Sequence, residues 1–529
     1  MPGLRLGGSG FLGKGSGSAG AGRVQKLRCD QSKGGPWGCK SAFVAQTSKS
    51  AVSPIFKSAR RAKSSPDRAW RSEQIVGRTL ARRLAARQTW KSALWLKAST
   101  KTDLHPGRGL LLTSAAKGRN GLRTVSETLR YLQSESAGSG IEIGALVKYL
   151  LLDAIKAKAS DIHIEPWEST LVVRIRLNGV LTELVHLPLE LMEKISGRFK
   201  VLGNLVTYQT GLPQEGHAPA DPELGGCEQR ISIFPTVRGE KIVVRIFDPS
   251  NRSFDLGALG FDDDILQQFV KLITKPSGLI LLTGPTGSGK TTAIYSALYT
   301  LVQRAGSTMS IATVEDPVEF SLPMVAQAQV NLAQEFTYPR ALRSLMRQDP
   351  QVIMVGEIRD PETAAIAVQA GLTGHLVIST IHSGSTAGVF ARLMNMDIEP
   401  FLLSSSVTGV LGLRLIRKNC PYCAQPYEPE PGLMKLIPSV DRETAEFRRG
   451  GGCEQCLDTG FSGRYSVGEL LTVTQPFRDA ILEKMPTRTL QQVAVDSGME
   501  TMWSRGLRRA LTGQTPLEEI LRVISVDEL

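Results

Sequence analysis

Between Leu279 and Thr292 the chain reads LILLTGPTGSGKTT, and no other stretch limits the fold so tightly. Five residues of uninterrupted strand-like sequence run straight into Gly284-Pro285-Thr286-Gly287-Ser288-Gly289-Lys290-Thr291, which fits G-x-x-x-x-G-K-[ST] at every position. An apolar-periodic helix follows from Thr292. Such a loop works only where a buried strand ends and a helix begins. The glycines let backbone amides converge on phosphate oxygens, and the helix N-terminus adds its dipole. Lys290 is then expected to reach the β- and γ-phosphates, and Thr291 to ligate Mg²⁺.

The surroundings agree with that demand. Short apolar runs at LILLT (279–283), MSIATV (309–314), VIMV (352–355) and HLVIST (375–380) alternate with longer helical stretches. This predicts an α/β domain over 256–529, with a buried, largely parallel sheet covered on both faces. Upstream, Ile143 to Ala159 has helical apolar spacing, and Leu171–Leu177 alternates as a half-buried strand. Asn178-Gly179 predicts a hairpin turn, a second helix is expected over 189–205, and ISIFPTV and KIVVRIF read as strands around Gly239. These elements make a smaller α+β domain over 141–255, with Asp248 to Gly260 as a linker.

Several side chains are candidates for chemistry. Glu357 ends the apolar strand VIMV, where a carboxylate meets Mg²⁺ and the attacking water in folds of this kind. Glu315 opens a second acidic cluster, Glu315-Asp316-Pro317-Val318-Glu319, able to orient water. His375 and His382 flank the strand LVIST, and either is suited to sensing a terminal phosphate. Cys420-Pro-Tyr-Cys423 and Cys453-Glu-Gln-Cys456 are two CxxC pairs 29 residues apart. Four such thiolates close a tetrahedron, which suits structural Zn²⁺ and leaves no open catalytic position within a module spanning 414–470.

Charge separates the chain into a head and a body. Residues 1–125 hold 25 Lys and Arg against 4 Asp and Glu, so the remainder is net −8 although the whole chain is +13. The overall basicity therefore says little about what the body binds, and the acidic body argues against nucleic acid. Residues 1–140 read as a basic, low-complexity, disordered tail. A transit peptide, a basic arm for nucleic acid or anionic lipid, and an extension without function share that composition. No apolar run reaches the 18 residues a membrane-spanning helix needs.

Taken together, SDIHIEP (160–166), GEKIVVRIFD (239–248), LLTGPTGSGKTT (281–292), TVEDPVEF (313–320), ALRSLMRQDPQVIMVGEIRDPETA (341–364), TGHLVISTIHS (373–383) and the cysteine module resemble the secretion ATPases of type II secretion, type IV pilus assembly and competence systems. The resemblance spans about Leu146 to Val526. It implies a PAS-like first domain, a RecA-like motor carrying the four-cysteine zinc insertion, ATP and Mg²⁺ held between the two domains, and a homohexamer. It implies that Glu315 lies in the family's Asp box, that Glu357 is the Walker B glutamate, and that His375 and His382 form the His box. Arg230 and Arg245 would complete the nucleotide site, with Gly284 to Thr292 as its cradle. The partners implied are an inner-membrane platform protein and a membrane-anchored cytoplasmic docking protein. The location implied is cytoplasmic, peripheral to the inner membrane through those partners.

Three positions depart from the family pattern. His217 replaces an arginine, Gln351 stands where Walker B opens with Asp, and Ser383-Gly384-Ser385 replaces Thr-Asn-Asp. Those departures keep one alternative open, a catalytically weak nucleotide-sensing regulator or scaffold; the resemblance to ring ATPases that serve conjugation leaves a second, a nucleic-acid translocating ring.

Overall fold

The structure is a computed structural model that describes residues 126–135, 140–248 and 254–524. The expectation of a disordered head over residues 1–125 lies outside the described residues. Order nevertheless begins earlier than Ile141. Helix α1 (Glu127–Glu135) packs on helix α2 (Ile143–Lys156) through the fully buried Leu132. Its start is capped from α2: Asp153 accepts from the Glu127 amide at 2.8 Å, the Thr128 amide at 3.0 Å and the Ser126 hydroxyl at 2.7 Å. A carboxylate there satisfies otherwise orphaned donors and faces the positive end of the helix dipole.

The first sheet is six-stranded and antiparallel throughout. It contains β1 (Asp161–Pro166), β2 (Leu171–Leu177), β3 (Val180–Leu187), β4 (Gln214–Asp221), β5 (Cys227–Thr236) and β6 (Gly239–Phe247), in the order β3-β2-β1-β6-β5-β4. Asn178 and Gly179 both take positive φ (49° and 85°), as the tight β2–β3 turn requires. The expected helix over 189–205 is a 3₁₀ turn, Leu189–Leu191, followed by α3 (Met192–Leu202). One face of the sheet, with Ile162, Ile164, Ile231, Ile242 and Val244, packs on α2 and α3. The other face carries Asp161, His163, Glu165, Arg230, Lys241 and Arg245 and meets the second domain. Burying each aliphatic side chain of the packed face contributes roughly 1.5–3 kcal/mol.

The second sheet has seven strands. In chain order come α4 (Asp263–Ile273), β7 (Gly278–Thr283), α5 (Lys290–Ala305), β8 (Ile311–Glu315), β9 (Ala326–Gln329), α6 (Tyr338–Leu345), β10 (Val352–Val355), α7 (Pro361–Leu372), β11 (Leu376–Ile381) and β12 (Val407–Asn419). After the small ribbon β13 (Ala424–Pro426) and β14 (Arg448–Gly450) comes β15 (Phe461–Thr472). The order is β15-β12-β7-β11-β10-β8-β9, parallel except for β15 against β12. Alternate residues of the strands face two cores. Leu279, Leu281, Ile353, Val355 and Val377 pack with α7. Ile280, Leu282, Val352, Met354 and Ile378 pack with α4 and α5. Buried on both faces, these strands have no polar alternation, which is why they read as continuous apolar runs.

The cysteine module hangs from the far end of β12, where Asn419 leads into Cys420. The C-terminal helices Met502–Leu511 and Leu517–Val523 pack on β12 and β15 around Ile416, Val467 and Trp503. Leu457, in the second cysteine turn, packs against the core of the first domain. Among the described residues, no helix is long and apolar enough to cross a membrane.

Candidate functional site

In a parallel sheet, ligands gather at the carboxyl ends of the strands. Three candidate groups do so here. The phosphate loop follows β7, Glu357 stands two residues past β10, and His382 immediately follows β11. Gly284 takes φ 144°, and a Cβ there would lie 2.4 Å from the Leu413 carbonyl and 2.7 Å from Ser288 Oγ. Only glycine fits. Gly289, at φ 94°, turns the chain into α5. Lys290 opens that helix and folds back over the loop, donating to the carbonyls of Gly284 at 2.8 Å and Pro285 at 3.0 Å. Burial, and then the charge of Arg414, holds the Lys290 ammonium below the usual lysine pKa. Pro285, Thr286, Gly287, Thr291 and Thr292 are exposed. Ser288 Oγ is buried without a hydrogen-bond partner among the described residues. An orphaned hydroxyl in a loop of inward-curled backbone is the chemistry a polyphosphate would satisfy.

Glu357 is mostly buried. It contacts Arg359, and its Oε2 is 3.5 Å from His382 Nε2. Burial, then the nearby charge of Lys290, lowers the His382 pKa, which ties this ring to the same electrostatic environment as the loop. Thr283 Oγ1 exchanges hydrogen bonds at 3.1 Å with the Ser383 backbone, locking the ends of β7 and β11 together.

His375 does not join this group. It precedes β11 and bonds the Ala370 carbonyl through its backbone amide and through Nδ1, each at 3.2 Å. The whole of Leu376–Ile381 lies between the two histidines, and at about 3.3 Å per residue that is roughly 20 Å. The parallel strand puts it at the opposite edge of the sheet from His382. The same reasoning disposes of Gln351, which lies at the amino end of β10 and accepts from the Ser310 amide, away from the site. Ser385 has local work too, accepting from the Gly388 amide at 3.1 Å at the start of the next helix.

Glu315 ends β8 on the same edge as Glu357, but both its oxygens are engaged. Oε1 accepts from Thr313 at 2.6 Å and from Gln327 at 3.0 Å, and Oε2 accepts from Tyr295. The acid that meets the first domain is Glu319, whose Oε2 is 3.9 Å from Arg230. Arg230 also lies over the Phe247 ring at 5.4 Å, and Phe247 meets Phe320 at 6.1 Å. Arg245 is paired with Arg230 across β5 and β6 and bonds Asp161 at 3.2 Å. His217 is opposite Arg230 on β4 and 3.5 Å from Glu228.

The sequence reading missed Tyr295, Gln327, Asp161, Arg359 and Arg414. Arg359 had a signal, lying two residues from Glu357. Arg414 had none, because β12 comes beside the loop only through the sheet order.

The four cysteines converge. Sγ–Sγ separations are 3.8 Å for Cys420–Cys453, 3.8 Å for Cys423–Cys456 and 3.7 Å for Cys453–Cys456. A tetrahedron with Zn–S bonds of about 2.3 Å has edges of about 3.8 Å, so the set fits zinc. Cys456 Sγ also accepts the amides of Cys453 and Gly460, each at 3.2 Å. Burial raises the Cys420 and Cys423 thiols above their ordinary pKa, and a bound cation would reverse that by favouring thiolates.

Comparison with known proteins places this geometry. The family described as Type II/IV secretion system protein matches residues 136–522. The chain is 40% identical over 404 residues to the type IV pilus assembly ATPase PilB of Myxococcus xanthus, covering 75% of this chain and 70% of that one. It is 42% identical over 380 residues to type II secretion system protein E of Pseudomonas aeruginosa, covering 72% and 74%. The solved ATPase DotB of Legionella pneumophila shares the fold, with a TM-score of 0.53 at 19% identity over 72% of this chain and 96% of that one. The chain belongs to the type II/IV secretion system protein family.

Proposed function

We propose that this protein is a ring-forming ATPase motor that hydrolyses Mg-ATP to drive type II secretion or type IV pilus assembly. The observation that carries the reading is the convergence of Lys290, Glu357 and His382 at the carboxyl ends of β7, β10 and β11, beneath a first domain whose Arg230 reaches the acidic loop. Lys290 leaves its carbonyl partners to bind terminal phosphate oxygens, and the loop amides with Ser288 hold the rest of the chain of phosphates. Glu357 orients the attacking water and accepts its proton, and His382 bonds the terminal phosphate as a neutral donor. Thr291 would hold Mg²⁺, which would supply charge neutralisation at the phosphate oxygens. Glu315 anchors the acidic loop from below, while Arg230 and Arg245 cover the site from the first domain.

Zn²⁺ at Cys420, Cys423, Cys453 and Cys456 is structural in this reading, and the presence of that module favours the secretion or extension direction of work. Work on a membrane system then requires an inner-membrane platform and a docking protein as partners, with the ring on the cytoplasmic side. Steady-state Mg-ATP turnover of the purified protein tests the reading, with Lys290→Ala as control. Turnover is expected in the parent and at least a roughly tenfold fall in the variant, since one ammonium stabilises the developing phosphate charge. A parent that binds ATP without turning it over would instead support the regulator or scaffold.

A further inference from the structure

One face of the first sheet carries a cross-strand row. His217 is opposite Arg230, Arg230 opposite Arg245, and Arg245 opposite Asp161. Directly opposed residues share a face of the sheet, so these side chains stand side by side. The row continues to Arg176 on β2, whose Nε is 3.3 Å from Asp161 Oδ2.

The two arginines flanking Asp161 are held differently. Arg176 is pinned at every nitrogen: Nε at Asp161, one terminal nitrogen donating to the Gly179 carbonyl at 3.2 Å, the other 3.3 Å from His163 Nε2. Arg245 is gripped only by its inner edge, where Nε donates to Asp161 Oδ1 at 3.2 Å. Its two terminal nitrogens have no partner among the described residues, and its side chain is 57% exposed. Asp161 itself is buried, and its Oδ2 also accepts from Ser160 Oγ at 2.9 Å. A fixed carboxylate thus takes the Nε of Arg245 and leaves the outer pair of nitrogens open. That pair is the fork that binds phosphate oxygens bidentately.

The neighbours of the fork lie against the second domain. Phe247, two residues along β6 on the same face, touches Phe320, and Arg230 beside it reaches Glu319. Arg230 and Phe247 therefore meet the acidic loop of the motor domain, and the exposed fork of Arg245 stands beside them on the same face.

We infer that Asp161 is a positioning residue, clamping the Nε edge of Arg245 so that its terminal nitrogens are presented to the phosphates of the nucleotide. The inference rests on the ATPase reading above and adds a residue that touches no substrate. Arg176, held at all three nitrogens, fixes the other side of Asp161 and keeps its carboxylate in place.

A double-mutant cycle on the full-length, assembled protein tests it, using Asp161→Asn and Arg245→Ala. Both kcat/KM for ATP and equilibrium ATP binding are measured, with thermal unfolding recorded for every variant. Losing one charge-assisted phosphate contact predicts a fall of about tenfold for either single variant. In the Arg245→Ala background, Asp161→Asn should cost less than about twofold, because the residue it positions is gone. A purely structural Asp161 would cost the same in both backgrounds, and that additivity overturns the inference, as does an unimpaired Asp161→Asn. If Asp161→Asn does not fold, Asp161→Glu, which displaces the carboxylate by one methylene, replaces it in the same cycle. A parent protein that binds ATP but does not hydrolyse it would sink the ATPase reading alone, and the binding cycle would still decide the role of Asp161.

Discussion

Tyr295→Phe isolates the link between the phosphate-loop helix and the acidic loop. Tyr295 is on α5, one turn past Lys290, and is fully buried. Its hydroxyl donates to Glu315 Oε2 and accepts from the Glu319 amide at 3.3 Å. Burial, and then the Glu315 carboxylate, pushes the phenol well above its ordinary pKa, so it remains a donor at any working pH. Removing only the hydroxyl keeps the ring against Phe254 and Phe320, with centroids 6.1 and 6.0 Å away. The cost is therefore that of the hydrogen bond. Glu315 keeps Thr313 and Gln327 on Oε1 but loses the Tyr295 donor on Oε2. A hydrogen bond to a charged, buried acceptor is worth about 1.5–3 kcal/mol, so a loss of about 2 kcal/mol is expected. For a domain of this size that is about 4–8 °C in Tm. Calorimetric unfolding of parent and variant measures it. In a Glu315→Gln background the acceptor is neutral, and the same substitution should cost only about 1 kcal/mol. A loss below about 0.5 kcal/mol in the parent, or an equal loss in both backgrounds, would refute the idea that this contact holds the carboxylate.

Other outcomes follow from the same geometry. Glu357→Gln should retain ATP binding while turnover falls by on the order of 10²–10⁴, the usual worth of a proton acceptor; loss of ATP binding would assign Glu357 to the fold instead. Cys453→Ser should lose the single zinc per subunit, measured by elemental analysis, and loosen the cysteine module while nucleotide binding survives; unchanged metal content would break the four-thiolate assignment. His382, with its pKa held below the ordinary histidine value of 6.5, must take up its proton less readily folded than unfolded. Stability is therefore expected to fall as pH drops through about 6.5 and below, and His382→Gln should flatten that slope in a pH series of unfolding midpoints.

Much of this was legible because the chemistry demanded a local pattern. A phosphate loop needs glycine at positions such as Gly284, where a side chain would strike the Leu413 carbonyl, and it needs a strand before and a helix after. The strands β7, β10 and β11, buried on both faces, had to be largely apolar. The CxxC turns had to present paired thiolates. The helix α1 was less legible: it is short and mostly polar, and only the partner Asp153, 26 residues from Glu127, makes it a docked element.

What stayed hidden is what only the sheet assembles. His375 and His382 look equivalent in sequence, since both flank one strand. Direction separates them, because a parallel strand has one catalytic end, and β11 pairs with β7 from Leu376 opposite Gly278 to Ile381 opposite Thr283. That register alone puts His382 beside the loop and His375 at the far edge. The arginine row is a stronger case. Arg176, Asp161, Arg245, Arg230 and His217 come from five strands, and no spacing along the chain connects them. Arg176, Arg230 and Arg245 lie on strands with half-buried alternation, which marks a side chain as facing away from the core without saying what it faces. The antiparallel register turns that anonymous polar face into a line of cations with one buried carboxylate inside it. The carboxylate gives the line its selectivity: it takes the Nε of both Arg176 and Arg245, and since Gly179 and His163 hold the other nitrogens of Arg176, the fork left open is the outer one of Arg245, beside the Arg230 that reaches the acidic loop.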